Sequence, residues 1–368
     1  AVPEARAVGR GSIRPIDRLD QLVEALTGAG PWPTHDVPTT SFVEPDMPDL
    51  ADVKGQPHAR LALEVAAAGG HHLLFVGPPG SGKTMLARRL PGLLPDLDHD
   101  VALHTTMIHS AAGLQLPGGG LVQRPPFRAP HHSSSLGALV GGGSHTMRPG
   151  EASLAHGGVL FLDEMGQFAP RVLDSLREPL ETGSVMVGRV ENDRLPMPAR
   201  FQLIGATNPC ACGGGGPGGC ECDERVRNRY VGRLSGPLLD RFDLRVAVHR
   251  PDVADLLGGQ PGESTADVAV RVAAARRNAL RRGGRLNADL GEQQLDEVAP
   301  LDDAAHELLF AEVERGRLTG RGLHRIRRVA RTLSDLAGYA DEAVGEEHVA
   351  SALGMRAQVG LSSLGLAA

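Results

Sequence analysis

Short apolar runs at residues 73–76, 158–162, 201–205 and 244–248 punctuate the chain, interrupted only by Gln202 and Arg245. Runs of this length without polar alternation are the pattern of strands buried on both faces of a parallel sheet. Between them apolar residues fall at helical spacing, as over 85–94, so residues 47–251 read as alternating strand and helix. Such alternation predicts an α/β fold, a parallel sheet covered by helices. Residues 252–264 are polar and contain Gly and Pro, as a linker does. Beyond them the pattern is helical, with helices expected over 268–282, 302–315, 321–339 and 345–359 that would form a four-helix or similar lid.

The first 40 residues offer one amphipathic helix, over 17–26, ended by Gly28, Gly30 and Pro31-Trp32-Pro33. The domain reading is therefore a remnant or linker over 1–40, an α/β unit over 41–251, a linker over 252–264 and a helical unit over 265–368. Two irregular insertions, 114–150 and 183–198, interrupt the α/β unit, and the second carries Val185-Met186-Val187, a hairpin strand by its pattern. Long loops of this kind in a compact domain are commonly functional. No internal repeat is evident.

Composition narrows the class. Of 368 residues 41% are hydrophobic but only 3% aromatic, so the core must be built from Ala, Val and Leu, which suits α/β and helical packing. A net charge of −6 argues against coating nucleic acid through global charge, so any DNA contact must be concentrated in local basic patches. No run of about 18 apolar residues occurs and the N-terminus has no basic region followed by an apolar run, so a soluble cytoplasmic protein without a membrane partner is expected. All four cysteines lie between 210 and 222, which disfavours a disulfide-stapled secreted domain.

The chemistry begins after the first run. Gly77-Pro78-Pro79-Gly80-Ser81-Gly82-Lys83-Thr84 is a complete phosphate-binding loop between an apolar strand and a helix that starts near Met85. Glycines let backbone N–H groups close round phosphate oxygens, the helix directs its positive end at the same anion, and Lys83 and Thr84 supply a cation and a magnesium ligand. These residues, with Met85, form the expected site for a nucleoside triphosphate and Mg2+. The strand ending at Leu162 delivers Asp163 and Glu164, the first to orient magnesium or its waters, the second to polarise the attacking water. The plainer alternative is that both acids cap the next helix. Asn208, after the strand at 201–207, can reach the water or terminal phosphate, or can simply form a turn before Pro209. Charge on the transferred phosphate calls for arginines. Arg241, flanked by Asp240 and Asp243, and Arg321, which opens the basic series Arg321, Arg325, Arg328 and Arg331, are the candidates; their alternatives are a surface salt bridge and a solvated helix face.

Cys210, Cys212, Cys220 and Cys222 form two C-x-C pairs joined by a glycine-rich connector, 213–219. Four thiolates suit a closed structural zinc site beside the nucleotide strand, where it can brace a loop that meets DNA or a neighbour. Unliganded reduced thiols and an iron–sulfur cluster are the alternatives. His131 and His132 look like a metal pair but no third ligand follows, and Arg276, Arg277, Arg281, Arg282 and Arg285 read as a solvated helix face ahead of a DNA patch.

Together the motifs resemble the AAA+ ATPases, specifically the magnesium-chelatase-like ComM/YifB family of the helix-2-insert group. The resemblance covers residues 45–360 and rests on Asp52-Val53-Lys54-Gly55-Gln56, Ala66-Ala67-Ala68-Gly69-Gly70-His71, the phosphate loop, Arg128-Ala129-Pro130-His131-His132-Ser133 and Pro149-Gly150-Glu151. It continues through Leu154-Ala155-His156, Asp163-Glu164, Arg177-Glu178-Pro179-Leu180-Glu181, Ala206-Thr207-Asn208-Pro209-Cys210, Leu239-Asp240-Arg241-Phe242-Asp243 and Ala330-Arg331-Thr332. It implies a P-loop AAA+ sheet with a helix-2 insert at 114–150 and a pre-sensor-1 hairpin at 183–198, both facing the pore of a hexameric ring, followed by a helical lid. It implies ATP bound between subunits, with Asn208 as sensor 1, Arg241 as an arginine finger acting in trans and Arg321 as sensor 2. ComM-type rings move on single-stranded or branched DNA and promote branch migration in recombination or natural transformation. The family's N-terminal Lon-protease-like domain is expected to be reduced here to residues 1–40, as in a truncated or short member, and no Ser/Lys dyad stands out. A chelatase-type motor that remodels a metal-inserting partner protein is the other class implied; the cysteine cluster and the 128–133 run favour the ComM/YifB side. The Gly-Ala-Phe-Thr-Gly-Ala loop of σ54 activators is absent.

Overall fold

A computed structural model describes residues 13–33, 47–117, 120–142, 147–188, 195–213, 220, 222–258 and 261–357. The strands among them are β1 (Leu73–Val76), β2 (Phe127–Arg128), β3 (Gly141–Gly142), β4 (Arg148–Pro149) and β5 (Val159–Leu162). There follow β6 (Ser184–Val187), β7 (Leu195–Pro198), β8 (Gln202–Thr207) and β9 (Leu244–Ala247). Five make one parallel sheet in the order β2-β5-β8-β1-β9. β1, β5 and β8 are buried along their whole length, as the unbroken apolar character of β1 and β5 requires, and β8 is buried despite Gln202 and Thr207 at its ends. Register pairs Val76 with Thr207 and Leu162 with Gly205, so the chain leaves β1, β5 and β8 at nearly the same level. Loops from that carboxyl edge converge on one crevice, where ligands bind in open parallel sheets.

Small side chains let the layers approach closely. The helix Pro57–Gly69 buries Ala59, Ala62, Ala66, Ala67 and Ala68 against the sheet, and the helices Thr265–Gly283 and Gly320–Leu336 pack on it from outside. Val272, Ile326 and Val329 thereby share one apolar core with Leu63, Phe75 and Leu244. The opposite sheet face packs Leu74, Leu160, Leu203, Phe168 and Phe242 into a second cluster. A buried polar chain ties sheet to lid: His71 Nδ1 lies 3.1 Å from Asp243 Oδ2 and its Nε2 2.8 Å from Thr332 Oγ1. Asn287 Nδ2 donates to Thr332 Oγ1 and Asp335 Oδ2, so these buried polar atoms are mutually satisfied.

Several expectations need correction. The helix expected over 85–94 is two, Lys83–Ala87 and Leu90–Leu93, broken at Arg88-Arg89 before Pro91. Residues 252–264 are not a bare linker, since Val253–Gly258 is helical. The helical part holds a further helix, Glu292–Val298, seven residues too short and polar to show a clear period. The segment 114–150 is structured where described: it supplies edge strand β2, the helix Leu136–Val140 and the β3–β4 pair. β6 pairs antiparallel with β7, as the hairpin reading requires. The helix Leu19–Thr27 fills the expected N-terminal place, whereas 1–12, 34–40, most of the 213–219 connector and 358–359 lie outside the described residues. Neither arginine series is wholly a solvated face, although Arg277, Arg281, Arg285 and Arg321 are exposed. Arg331 is 1% exposed and pairs with Asp335, Arg276 Nη1 donates to the Ala67 carbonyl, and Arg282 forks onto Asp335.

Candidate active site

The crevice at the sheet edge has a volume of about 560 Å³ and is lined by Pro79 to Met85, Asp163, Glu164 and Asn208, with Asp52, Lys54 and Gln56 on its flank. Two glycines shape the loop. Gly77 runs so close to the neighbouring strand that a Cβ would lie 2.0 Å from the Val248 carbonyl oxygen, and Gly82 has φ +90°, a region costly for other residues. Gly77 and Pro78 do not line the crevice; their carbonyls accept from Lys83 Nζ at 2.6 and 2.8 Å. Lys83 Nζ also donates to Asn208 Oδ1 at 3.2 Å. Burial lowers the Lys83 pKa against the opposing pull of Asp163 and Glu164.

Thr84 Oγ1 donates to Asp163 Oδ2 at 2.7 Å, so a hydroxyl and a carboxylate from the ends of two elements already face one another. Hard oxygen donors of this kind fit magnesium, which keeps most of its waters and takes one or two protein oxygens beside phosphate. Glu164 follows in a left-handed conformation at φ +50°, a strained position that costs about 1 kcal/mol or more. Its N–H donates to Asp163 Oδ1, and its carboxylate accepts from Gln167 Nε2 at 2.9 Å. The Glu164 side chain makes no capping bond to the turn Met165–Gln167, which leaves the capping alternative unsupported for Glu164.

Arg241 and Arg321 are elsewhere. Neither lines the crevice; Arg241 opens onto a second cavity of about 690 Å³ with Arg200, Arg276, Arg325 and Arg328. Its guanidinium pairs with Glu181, not with the flanking acids, and its Nε is buried without a hydrogen-bond partner. Burial lowers its pKa, and Arg325, Arg321 and Arg177 push the same way, which places the exposed Arg321 in its electrostatic neighbourhood. Asp240 and Asp243 instead face Arg245 and Arg325.

The four cysteines come together beyond Asn208, with sulfurs all within 4.8 Å of one another and none in a disulfide. Cys210–Cys212 and Cys220–Cys210 sulfur distances are 3.2 Å, and Cys212–Cys220 is 3.5 Å. A tetrahedral zinc with bonds of about 2.3 Å separates its sulfurs by about 3.8 Å, so the donor set fits after a slight expansion.

The family model described as magnesium chelatase, subunit ChlI, matches residues 49–256, and that of the ChlI C-terminal region matches 262–356. The chain belongs to the magnesium-chelatase-like AAA+ family. It is similar to an uncharacterised protein of Mycobacterium tuberculosis, 47% identical over 363 residues, which cover 96% of this chain and 70% of the relative. It is similar to the competence protein ComM of Haemophilus influenzae, 44% identical over 314 residues, 85% of this chain and 61% of ComM. With the uncharacterised protein YifB of Escherichia coli it shares 42% over 325 residues, 87% of this chain and 62% of YifB. Membership implies ATPase activity at the level of the family. Among the described residues no helix is long and apolar enough to cross a membrane.

Two residues, Gln56 in the lining of this magnesium-chelatase-like crevice and His132 beside Glu164, carry no role in the motif reading. Gln56, itself left-handed at φ +55°, donates from Nε2 to the carbonyls of Ser81 and His249 at 2.7 and 3.2 Å and so fastens the phosphate loop to the strand beside it. His132 Nδ1 stands 3.7 Å from Glu164 Oε2, with the His131 ring at 4.0 Å between centroids. A signal for His132 exists in the sequence only once β2 is known to pair parallel with β5, because then the residues after both strands share one edge.

Proposed function

We propose that this chain is the ATP-hydrolysing subunit of a homo-oligomeric, hexameric ring that moves on single-stranded or branched DNA and drives branch migration in recombination or natural transformation. One observation supports it above others: the groups suited to bind and cut a triphosphate share one crevice, while Arg241 and Arg321 keep company away from it. Cations set apart from their own crevice can serve that of an adjoining copy.

In this reading Lys83 and the backbone of 77–84 hold the terminal phosphates. Magnesium, held through Thr84 and Asp163, would draw charge from their oxygens. Glu164 would orient a water in line with the terminal phosphate and take its proton, and Asn208 would turn from Lys83 towards that water. Arg241 and Arg321 of the adjoining copy would meet the developing charge once Arg241 has left Glu181, a contribution of ~10³–10⁵ in turnover. The motor unit would span 41–251 and the lid 265–368. DNA contact falls to the insertions 114–150 and 183–198, where Arg148, Met186 and Leu195 are exposed, since a net charge of −6 offers no global attraction. Zinc at Cys210, Cys212, Cys220 and Cys222 and a cytoplasmic location complete the reading.

The test is ATP turnover with no DNA and with single-stranded, forked and four-way-junction DNA at several salt concentrations. Stimulation that fades as salt rises is expected, because phosphate contacts release counterions. A rate that no DNA alters at any salt refutes the DNA step. The matched ChlI description favours a second reading, a chelatase-type motor acting on a partner protein for metal insertion, and that result would turn the assignment to it.

A further inference from the structure

Residues flanking the cysteine cluster meet three edges of the crevice: the phosphate loop, the end of β8 and the turn after Glu164. Cys210 follows Asn208-Pro209, and Asn208 holds Lys83 through its side-chain oxygen. The turn closes with the Gly213 N–H donating to the Cys210 carbonyl at 3.1 Å. Gly213, at φ +74°, lies flat on the phosphate loop: a Cβ there would sit 2.7 Å from Cγ and 2.9 Å from Cδ of Pro79. The second pair is anchored as firmly. After Cys222, Asp223 Oδ1 accepts from the Val226 N–H and starts the helix Glu224–Val231, which buries Tyr230. The Tyr230 hydroxyl lies 3.2 Å from Thr207 Oγ1 at the end of β8. Its ring is pressed onto Gly166, two residues past Glu164, where a Cβ would stand 2.3 Å from Cζ. Arg233 Nη1 donates to the Gly166 carbonyl as well.

We propose that the four cysteines hold a zinc ion that clasps the phosphate loop, the Asn208 strand end and the Glu164 turn together, so that triphosphate affinity depends on zinc. The proposal rests on the reading of the crevice as an ATP site and adds to it a metal-dependent coupling. All-sulfur donors in a closed set select zinc over the oxygen-seeking magnesium at Thr84 and Asp163, so the two metals do not compete. Zinc closes the segment from Cys210 to Cys222 into a loop. Without it the sulfurs have no common tie, Gly213 is free to leave Pro79, and the phosphate loop must be ordered by the nucleotide alone. Coupling between two bound ligands is reciprocal, so nucleotide must tighten zinc binding by the factor by which zinc tightens nucleotide.

The experiment uses the full chain purified without chelator. Zinc and iron are counted per chain by mass spectrometry, and a fluorescent non-hydrolysable ATP analogue is titrated before chelation, after it and after zinc is restored. One zinc per chain is expected, with affinity weakened on the order of 10-fold by chelation and regained with zinc. Cys212→Ser, at an exposed position, should match the chelated chain, and Gly213→Ala should weaken the analogue while keeping its zinc. Release of zinc to a coloured chelator should slow when the analogue is present. Iron in place of zinc, less than half an equivalent after reconstitution, or analogue affinity equal with and without zinc overturns the proposal. Failure of the zinc-loaded chain to bind the analogue at all is a different result, which refutes the ATP site itself.

Discussion

Replacing Arg241 by Ala should leave nucleotide binding intact and remove turnover, and the loss should be repairable by a second defective subunit. Arg241 does not line the crevice of its own chain, so the Kd for an ATP analogue should stay within about twofold. Its partner Glu181 is 52% exposed and can be solvated once freed, so the pair is worth no more than about 1 kcal/mol of stability. Turnover should nevertheless fall ~10³-fold or more, about 4 kcal/mol of transition-state stabilisation. Lys83→Ala is the complementary lesion, with an intact arginine and an empty phosphate seat. In a ring assembled at random from equal amounts of the two, about a quarter of the interfaces pair an intact crevice with an intact arginine, so about a quarter of the wild-type rate should return. Native mass spectrometry confirms that rings are mixed, and steady-state phosphate release reads the rate. Arg241→Ala mixed with the Lys83→Ala/Arg241→Ala double variant contains no intact arginine and should stay silent. Mixed rings that recover nothing, or an Arg241→Ala chain that turns over normally, would refute the division of the site between copies.

Glu164→Gln should bind ATP with unchanged affinity and assemble normally while turnover drops at least 100-fold; undiminished phosphate release would remove Glu164 from the chemistry. Gln56→Leu cuts two bonds that fasten the phosphate loop, and should weaken ATP analogue binding by roughly 5- to 30-fold, about 1–2 kcal/mol, with the melting temperature little moved; equal affinity would sink this role. Acid should destabilise the fold through His156, whose pKa falls to about 4 because of burial first, then His104 and Arg200. The unfolded state then binds the extra proton, so stability is full above pH 6.5 and is lost on descending from there towards 4, by about 2 kcal/mol at pH 5. His156 Nδ1 accepts from the Arg200 N–H, which Asn can imitate without titrating, so His156→Asn should show a shallower fall in urea midpoint between pH 7 and 5, and parallel falls would disprove the assignment.

The crevice was readable from sequence because each of its parts is written in consecutive residues at the end of a buried strand. Strand β1 leads into Gly77, β5 into Asp163 and Glu164, and β8 into Asn208, so short, largely apolar runs reveal the sheet and which residues share its edge. What depends on distant pairing is not written this way. The contact between His132 and Glu164 follows from a two-residue edge strand, β2, too short to leave a period, and Arg276 and Arg282 look solvated in one dimension because their partners, the Ala67 carbonyl and Asp335, come from other helices. The cysteines fall between these cases. Their pairing marks them as a set of four thiols that could hold a metal, but the contacts with Pro79 and Gly166 come from Gly213 and Tyr230, two residues with no motif of their own. Local sequence therefore carries the residue types of each loop, whereas the contacts between loops reside in close approaches that only glycine permits, and under the proposed coupling Gly213→Ala should separate zinc binding, which stays, from nucleotide binding, which weakens.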